Sequence, residues 1–536
     1  MCDPLNIPEV AALISRQLPN RVLFLCIQVC RQWHRAFLPT LWRRVDLALA
    51  DIDFKDNSRI ISFLTPQADL IQDLSIRGIK ETSDLSYIQQ RLYFPHLQSL
   101  RIEFHDPTGI HKAEQAASDF VRRHGQELWS LTVVKMKDMG IRPYTPRASP
   151  VLTNWDILEG CCGTGPTQLL TSLTLKDATF SLEEMNEATG RLMMQLNTLI
   201  LYKVHLARPP LKIEPLHRQP EWLHRLTTRS RIRHLVMEGC FPTLDEFTLL
   251  LECQDIRSLK WICLGLAVQI LDPPFAKRLR ERNWLYLESL TLKMNHLGDE
   301  RLAEIIEAIG PLRDLTLEQS YFGMLSAKAL LEAEGGKHRT KLETLSLRGS
   351  IYLEGAMVQR FLCELPSLQK IHAHRISVLD MEWDSRPWVC RKLREFLVGV
   401  VVREIPHVTE YMALPSPSSD GSSTTPPSTE FLSRLAELTD LRVLSIELGR
   451  NAQGLPRYEY QQIRLDCGLD RLKTLREMRE LRVSEGTGQS IEMQEAVWMT
   501  DNWLKLDTID LTFAQRDATV KASLEWYFTK HRVQVV

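Results

Sequence analysis

Cys26, Cys30 and His34 stand four residues apart, and their donor types would suit a metal site. On one continuous helix such ligands spread over roughly 12 Å of axial rise, too far apart for a single tetrahedral ion. They read instead as part of a packed helical stripe. Gly335-Gly336-Lys337 is followed by His338 and lacks the leading glycine of a phosphate-binding loop, so it reads as a turn. Cys161-Cys162 lies between Gly160 and Gly163 with no base nearby in sequence to activate a thiol. There is no nucleophile elbow and no H-E-x-x-H motif. The expectation is a non-catalytic chain with no cofactor and no catalytic or metal-ligating residue.

The composition narrows the partner class. Lys plus Arg total 66 against 67 Asp plus Glu, which removes the electrostatic footprint of a dedicated nucleic-acid binder. The basic run Arg278-Leu279-Arg280-Glu281-Arg282 is interrupted by an acid and reads as a solvated helix face. No stretch nears the roughly 18 apolar residues of a membrane span, and no membrane partner is expected. Met1-Cys2-Asp3-Pro4 does not open a basic-then-apolar signal segment, and no Asn-X-Ser/Thr site occurs. The 11 cysteines are odd in number and never spaced C-x-x-C; Cys240, Cys253, Cys263 and Cys363 sit in apolar runs and read as reduced core residues. The expected location is intracellular, cytoplasmic or nuclear.

The elements that would position any functional residue come from a repeat. From residue 71 onward the motif L-x-x-L-x-L recurs, clearly at Leu97, Leu128, Leu170, Leu196, Ile232, Leu287, Leu312, Leu342, Leu441 and Leu506. Weaker copies start at Ile71, Ile256, Leu368, Leu393 and Met478, and successive starts lie 24 to 48 residues apart. The last two apolar residues of each copy alternate along a short strand, so both enter the core while their neighbours face solvent. One unit cannot bury that face alone, and stacking supplies the missing cover. Between strands, Leu302, Ile305, Ile306 and Ile309 mark a helix stopped by Gly310-Pro311, and Ser181-x-x-Glu184 and Thr243-x-x-Glu246 read as capping boxes. Strand and helix in alternation predict a right-handed parallel α/β solenoid. Insertions fall at 140–168 and 208–220, and the low-complexity run Pro415 to Thr429 predicts a disordered insertion near 413–430. Within that run Ser416-Pro417 and Thr425-Pro426 suit a proline-directed kinase, though a flexible surface loop without regulation is the favoured reading.

Residues 5 to 45 follow a different pattern. Asn6 is set as an N-cap with Pro8 in the first turn, and Val10, Leu13, Ile14 and Leu18 share one helical face. A second helix is expected over about Arg21 to His34, with Pro39 redirecting the chain before Leu41-Trp42. About 40 residues bury too little of their own surface to enclose all these apolar groups, so something else must cover the excess.

The words Ile7-Pro8-Glu9-Val10, Val29-Cys30-Arg31-Gln32-Trp33 and Leu41-Trp42 resemble the F-box family. The stretch Leu287 to Leu297 resembles the leucine-rich-repeat pattern including its Asn295, with Cys240, Ser320 and Ser350 at the equivalent place elsewhere. The whole chain looks like the fungal F-box/leucine-rich-repeat proteins. The resemblance implies an all-α F-box over 1–46, then a leucine-rich-repeat solenoid over 47–536, a parallel β horseshoe with outer helices. It also implies a Skp-type adaptor, and through it a cullin, as partners. Carried over by position, Ile7, Pro8, Val10, Ile14, Leu18, Leu23, Val29, Cys30 and Trp33 would form or support the adaptor-facing surface. Ile7 stands where the family usually has Leu, and Pro19-Asn20-Arg21 lacks the acid common before the second helix.

Function then falls to the concave strand face, where Arg101, Glu103, Lys176, Tyr202, His234, Glu238, Lys293, Glu318, Arg348, Glu395, Glu447 and Arg482 should project. Mixed charge with a few aromatics suits a protein ligand. The expected function is substrate recognition within a Skp–cullin–F-box ubiquitin ligase, as a non-catalytic subunit. The alternative is a leucine-rich-repeat scaffold or inhibitor with vestigial ligase recruitment.

Overall fold

The computed structural model describes residues 7–49, 57–79, 82–104, 110–125, 127–135, 157–158, 169–177, 179–181, 195–207, 230–239, 253, 255–263, 284–294, 297–333, 336–350, 353–377, 380–381, 384–405, 428–446, 457–460, 463–483, 491–510 and 518–536. The chain is α/β and divides into two compact units, Met1–Ile256 and Arg257–Val536.

The first unit opens with helices α1 (Pro8–Gln17), α2 (Asn20–Cys26) and α3 (Arg31–Trp42). Its strands are β1 (Arg44–Ala48), β2 (Asp73–Ile79), β3 (Ser99–Phe104), β4 (Ser130–Lys135), β5 (Ser172–Lys176), β6 (Thr179–Ser181), β7 (Thr198–Tyr202), β8 (His205–Ala207) and β9 (His234–Glu238). Strands β6 and β8 form a separate parallel pair, and the others pair in chain order, each parallel to the next. Helices α4 (Asn57–Leu64), α5 (Thr82–Arg91) and α6 (Ile110–His124) connect its early strands.

The second unit carries β10 (Ser258–Cys263), β11 (Ser289–Met294), β12 (Asp314–Glu318), β13 (Thr344–Ser346), β14 (Lys370–Ser377), β15 (Glu395–Ile405), β16 (Val443–Ile446), β17 (Arg457–Tyr460), β18 (Glu480–Val483), β19 (Thr508–Asp510) and β20 (Gln534–Val535). All pair parallel in order except β17, which lies antiparallel against β15. Interleaved are α7 (Asp299–Ala308), α8 (Met324–Glu332), α9 (Gly355–Glu364), α10 (Ser428–Ala436), α11 (Met493–Asn502) and α12 (Ala518–Lys530).

Every copy of the motif lies on one of these strands, with its described apolar residues buried and the intervening residue half-exposed in, for example, β5, β7 and β12. Truncating one such leucine to alanine would cost about 2–5 kcal/mol. The array starts earlier than residue 71: β1 pairs Val45 with Leu74 and Leu47 with Ile76. The first leucine position is there taken by Trp42, which hid the copy. Two backbone devices hold the repeats in register. At most of the strands, the residue before the strand and the first strand residue donate their N–H groups to one carbonyl of the preceding repeat, as Gln98 and Ser99 do to Gln72 (2.8 and 2.9 Å) and Glu343 and Thr344 to Arg313 (2.7 and 3.0 Å). Two residues past the last core position, the backbone turns left-handed at Gly78, Asp177, Lys203, Gly239, Gln319 and Gly349. The next residues, Ser320 and Ser350, are buried and lie 3.4 Å apart Oγ to Oγ, joining neighbouring repeats where the sequence pattern places Asn. Asn295 and Cys240 themselves lie outside the described residues.

Several local expectations change. The segment 21–34 is not one helix: α2 ends at Cys26, and Cys30 starts α3 by accepting the Trp33 N–H on its sulfur at 3.4 Å. Pro39 lies inside α3 rather than turning the chain. The residue capping α1 is Ile7, with Pro8 at the first helical position, and Asn6 is outside the described residues. Ser181 ends a strand, and the rest of both proposed capping boxes is outside the described residues. A capping box does occur at α11, made by Glu492 and Glu495. The insertions at 140–168 and 208–220 and the run 415–429 lie almost wholly outside the described residues, as do Cys161, Cys162 and Arg278 to Arg282.

Candidate functional site

The three N-terminal helices close on a very small core. Ala11, Leu23 and Phe37 are its buried members, with Leu18, Cys26, Ile27, Trp33, Ala36 and Leu41 packed around them. Ser15 Oγ meets Thr40 Oγ1 at 2.7 Å and ties α1 to α3, and Trp33 packs edge-on against Phe37 at 5.6 Å. The His34 ring lies 3.2 Å from the Ile27 carbonyl and so serves the α2–α3 turn. Trp42 sits edge-on to Phe63 of α4, and β1 begins two residues later.

Much apolar surface is left over. Leu13, Phe24, Leu25 and Val29 are 62%, 54%, 59% and 63% exposed, and Ile7, Ile14 and Val22 are exposed as well. The reason is local. Helix α2 has four successive apolar residues, Val22 to Leu25, and only Leu23 can point at Phe37 while its neighbours must face outward.

Of the residues carried over from the family words, Ile7, Ile14, Val29 and Cys30 are exposed, while Val10, Leu18 and Trp33 are half-buried. Leu23 is buried at the centre of the module and supports the surface from below. Pro8 starts α1; its side chain lies outside the description. Leu13, Val22, Phe24 and Leu25 were absent from that set, although an apolar run too long for a one-sided helix was the signal that marks three of them.

The strand-face residues fall into rows set by register. In the first unit Glu103, Val134, Lys176, Tyr202 and Glu238 follow one another across β3, β4, β5, β7 and β9. Lys176 lies over the Tyr202 ring at 5.3 Å, and Arg101 pairs with Glu103 at 2.9 Å. His234 belongs to a different row, beside Thr198. In the second unit Lys293 faces Glu318 at 3.4 Å, Glu395 pairs with Lys370, and Arg482 pairs with Glu480 at 2.6 Å. Arg348 is exposed beyond β13, near the half-buried His372. Burial first, then Arg348 and Lys370, lower the His372 pKa to about 4, so its ring is neutral at physiological pH. Glu447 lies outside the described residues.

These rows are ion pairs and aromatic contacts, with acids and bases already matched. Among the described residues no group of three or more His, Cys, Asp or Glu could hold a metal ion. None of their helices is long and apolar enough to cross a membrane.

No protein-family model matches the chain, and no curated protein matches it in sequence. Among solved structures, that of the Rad7 and Elc1 complex in yeast covers 91% of this chain and 89% of its own, with 11% identity and a TM-score of 0.36.

Proposed function

We propose that the chain is a substrate-recognition subunit of a Skp–cullin–F-box ubiquitin ligase, docking on a Skp-type adaptor through α1–α3 and holding a protein target on the repeats. The observation that carries this reading is the exposed apolar set Ile7, Leu13, Ile14, Val22, Phe24, Leu25 and Val29 on a module whose buried core is only Ala11, Leu23 and Phe37. Contiguous apolar surface of that kind on a folded protein marks a place where a partner sits. The F-box words of the sequence name the kind of partner, and the mixed-charge strand rows suit a protein ligand. In this reading the chain performs no chemistry; it brings a target close to the ligase.

The test is co-purification of the full chain with a Skp-type adaptor. Leu25→Glu and Val29→Glu change only exposed side chains and are expected to reduce adaptor recovery at least tenfold, with an unchanged melting temperature. Trp33→Ala is expected to abolish recovery too, but partly by loosening its contact with Phe37. Undiminished recovery with both glutamate variants would remove the ligase reading.

A further inference from the structure

The N-terminal helices carry charge as well as apolar surface, and nearly all of it has one sign. Residues 7–45 hold six arginines, no lysine and a single acid, Glu9. Arg44 is held by Asp73 at 3.2 Å, and Arg43 is half-buried. Arg16, Arg21, Arg31 and Arg35 are exposed and make no ion pair or side-chain hydrogen bond among the described residues. Glu9 is exposed and pairs with none of them, and Asp46, just beyond the module, is already taken by Arg77 at 2.6 Å.

Helical spacing sets these arginines among the exposed apolar side chains. Arg21 stands three and four residues before Phe24 and Leu25 on α2, and Arg16 three after Leu13 on α1, so each shares a face with them. Arg31 opens α3 two residues after the exposed Val29, and Arg35 lies one turn further along the same face. Arg21 and Arg31 also occupy the first turns of helices that have no acid there. The helix dipole already places partial positive charge at that end, so a guanidinium there opposes folding. In the free chain these two side chains repel the backbone dipoles and gain no acid in return.

We propose that the partner covering this apolar set surrounds an apolar centre with acidic side chains, and that Arg16, Arg21, Arg31 and Arg35 steer and select it; the proposal rests on reading α1–α3 as the adaptor-docking module. Charge of one sign speeds encounter with an opposite surface and rejects partners of like charge, while apolar contact holds the complex once formed. A lipid surface fits less well. On α1, Leu13 lies about 200° of helical turn from the buried Ala11 and Ile14 only about 60° from it, so the exposed set wraps round the helix beyond the reach of a plane. Nucleic acid would answer the arginines and leave the apolar side chains in water.

The experiment measures association and dissociation rates of the full chain on immobilised Skp-type adaptor, at about 50 mM and about 500 mM salt. The wild-type association rate is expected to fall about tenfold between the two. With Arg16→Gln, Arg21→Gln, Arg31→Gln and Arg35→Gln combined, association at low salt should be about tenfold slower, nearly independent of salt, and followed by dissociation within about threefold of wild type. Leu25→Ser should do the reverse, speeding dissociation and leaving the salt dependence intact. Arg44→Gln, whose side chain is already paired, should change nothing. Arg31→Glu should slow association with a melting temperature no lower than wild type, which separates the loss from unfolding. If the fourfold variant does not fold, Arg21→Gln and Arg35→Gln singly should each slow association by about twofold. Salt dependence that survives in the fourfold variant overturns the proposal, as does arginine-dependent binding to phosphatidylserine vesicles or single-stranded RNA in preference to the adaptor. Adaptor binding that ignores the arginines but weakens with Leu25→Ser removes this proposal alone; no adaptor binding by the wild-type chain removes the ligase reading and this proposal with it.

Discussion

His338 shows how a buried side chain sets a pH limit on this fold. Its Nδ1 accepts the Leu312 N–H at 3.2 Å, so the proton must sit on Nε2, which lies 3.2 Å from the Ile306 carbonyl. Both nitrogens are used only in the neutral ring. Burial first, and then Lys337, bring the His338 pKa down to about 4. His124, enclosed by Phe94, Phe120 and Tyr93, is lowered to about 4 by burial and Arg123. In the unfolded chain each imidazole takes up its proton near pH 6.5, so between about 6.5 and 4 the unfolded state binds more protons. Stability is therefore complete above pH 6.5 and falls as the pH drops through this window, by on the order of 3 kcal/mol for a fully buried ring. Urea unfolding at pH 7.5 and pH 5 should show the loss, and His338→Gln should reduce it while leaving the share of His124. Equal pH dependence in the two proteins would mean that another group titrates. The strand-face pairs are a contrast: Lys293–Glu318 and Arg482–Glu480 are partly solvated and contribute roughly 0–1 kcal/mol each, so they add little to stability.

At the scale of elements, helix α8 of the second unit is capped from the neighbouring repeat instead of by its own sequence. Helix α8 begins after Gly323, which has no side chain to cap it. The Asp299 carboxylate, from the first turn of α7, accepts the N–H groups of Gly323, Leu325 and Ser326 at 2.9, 2.9 and 3.0 Å. Burial alone would raise the Asp299 pKa, but these bonds and the Ser326 side chain prevail and lower it. A Cβ at Gly323 would come within 2.8 Å of that carboxylate, so glycine is what admits it. Asp299→Ala is expected to destabilise the second unit by about 1–3 kcal/mol, since three donors lose their acceptor at once. Asp299→Asn keeps one acceptor oxygen and should lose less. Thermal unfolding of the two variants checks this, and an equal loss would assign the effect to charge at the helix start alone.

At the scale of the whole chain, the N-terminal helices carry a core of their own, while the strands behind them are held by one another. Phe37→Ala empties the centre of that core and should cost the module about 3–5 kcal/mol. Adaptor recovery is expected to vanish while the main unfolding transition of the repeats moves by less than about 2 °C, because strand repeats are stabilised by their neighbours. A large fall in that transition would show that the module is an integral cap of the array. The same nearest-neighbour logic explains why repeats of unequal length coexist: each needs only a matching strand and the two N–H bonds to the carbonyl before it.

Periodicity alone settled the strands, because a buried apolar pair two residues apart is a property of residue type and spacing, and every copy read that way forms a strand. It also marked an N-terminal segment too apolar for its size. Other features were legible only in three dimensions. The break between α2 and α3 depends on a cysteine acting as a cap, and the first strand was masked by Trp42 at a leucine position. The left-handed turn is filled by Gly, Asp, Lys or Gln, so no single letter marks it. Arg394, Arg442 and Arg479 are 48 and 37 residues apart in the chain and become neighbours only because successive repeats bond backbone to backbone. Residue pattern decides which side chains leave water; the stacking of repeats decides which of the remaining ones meet.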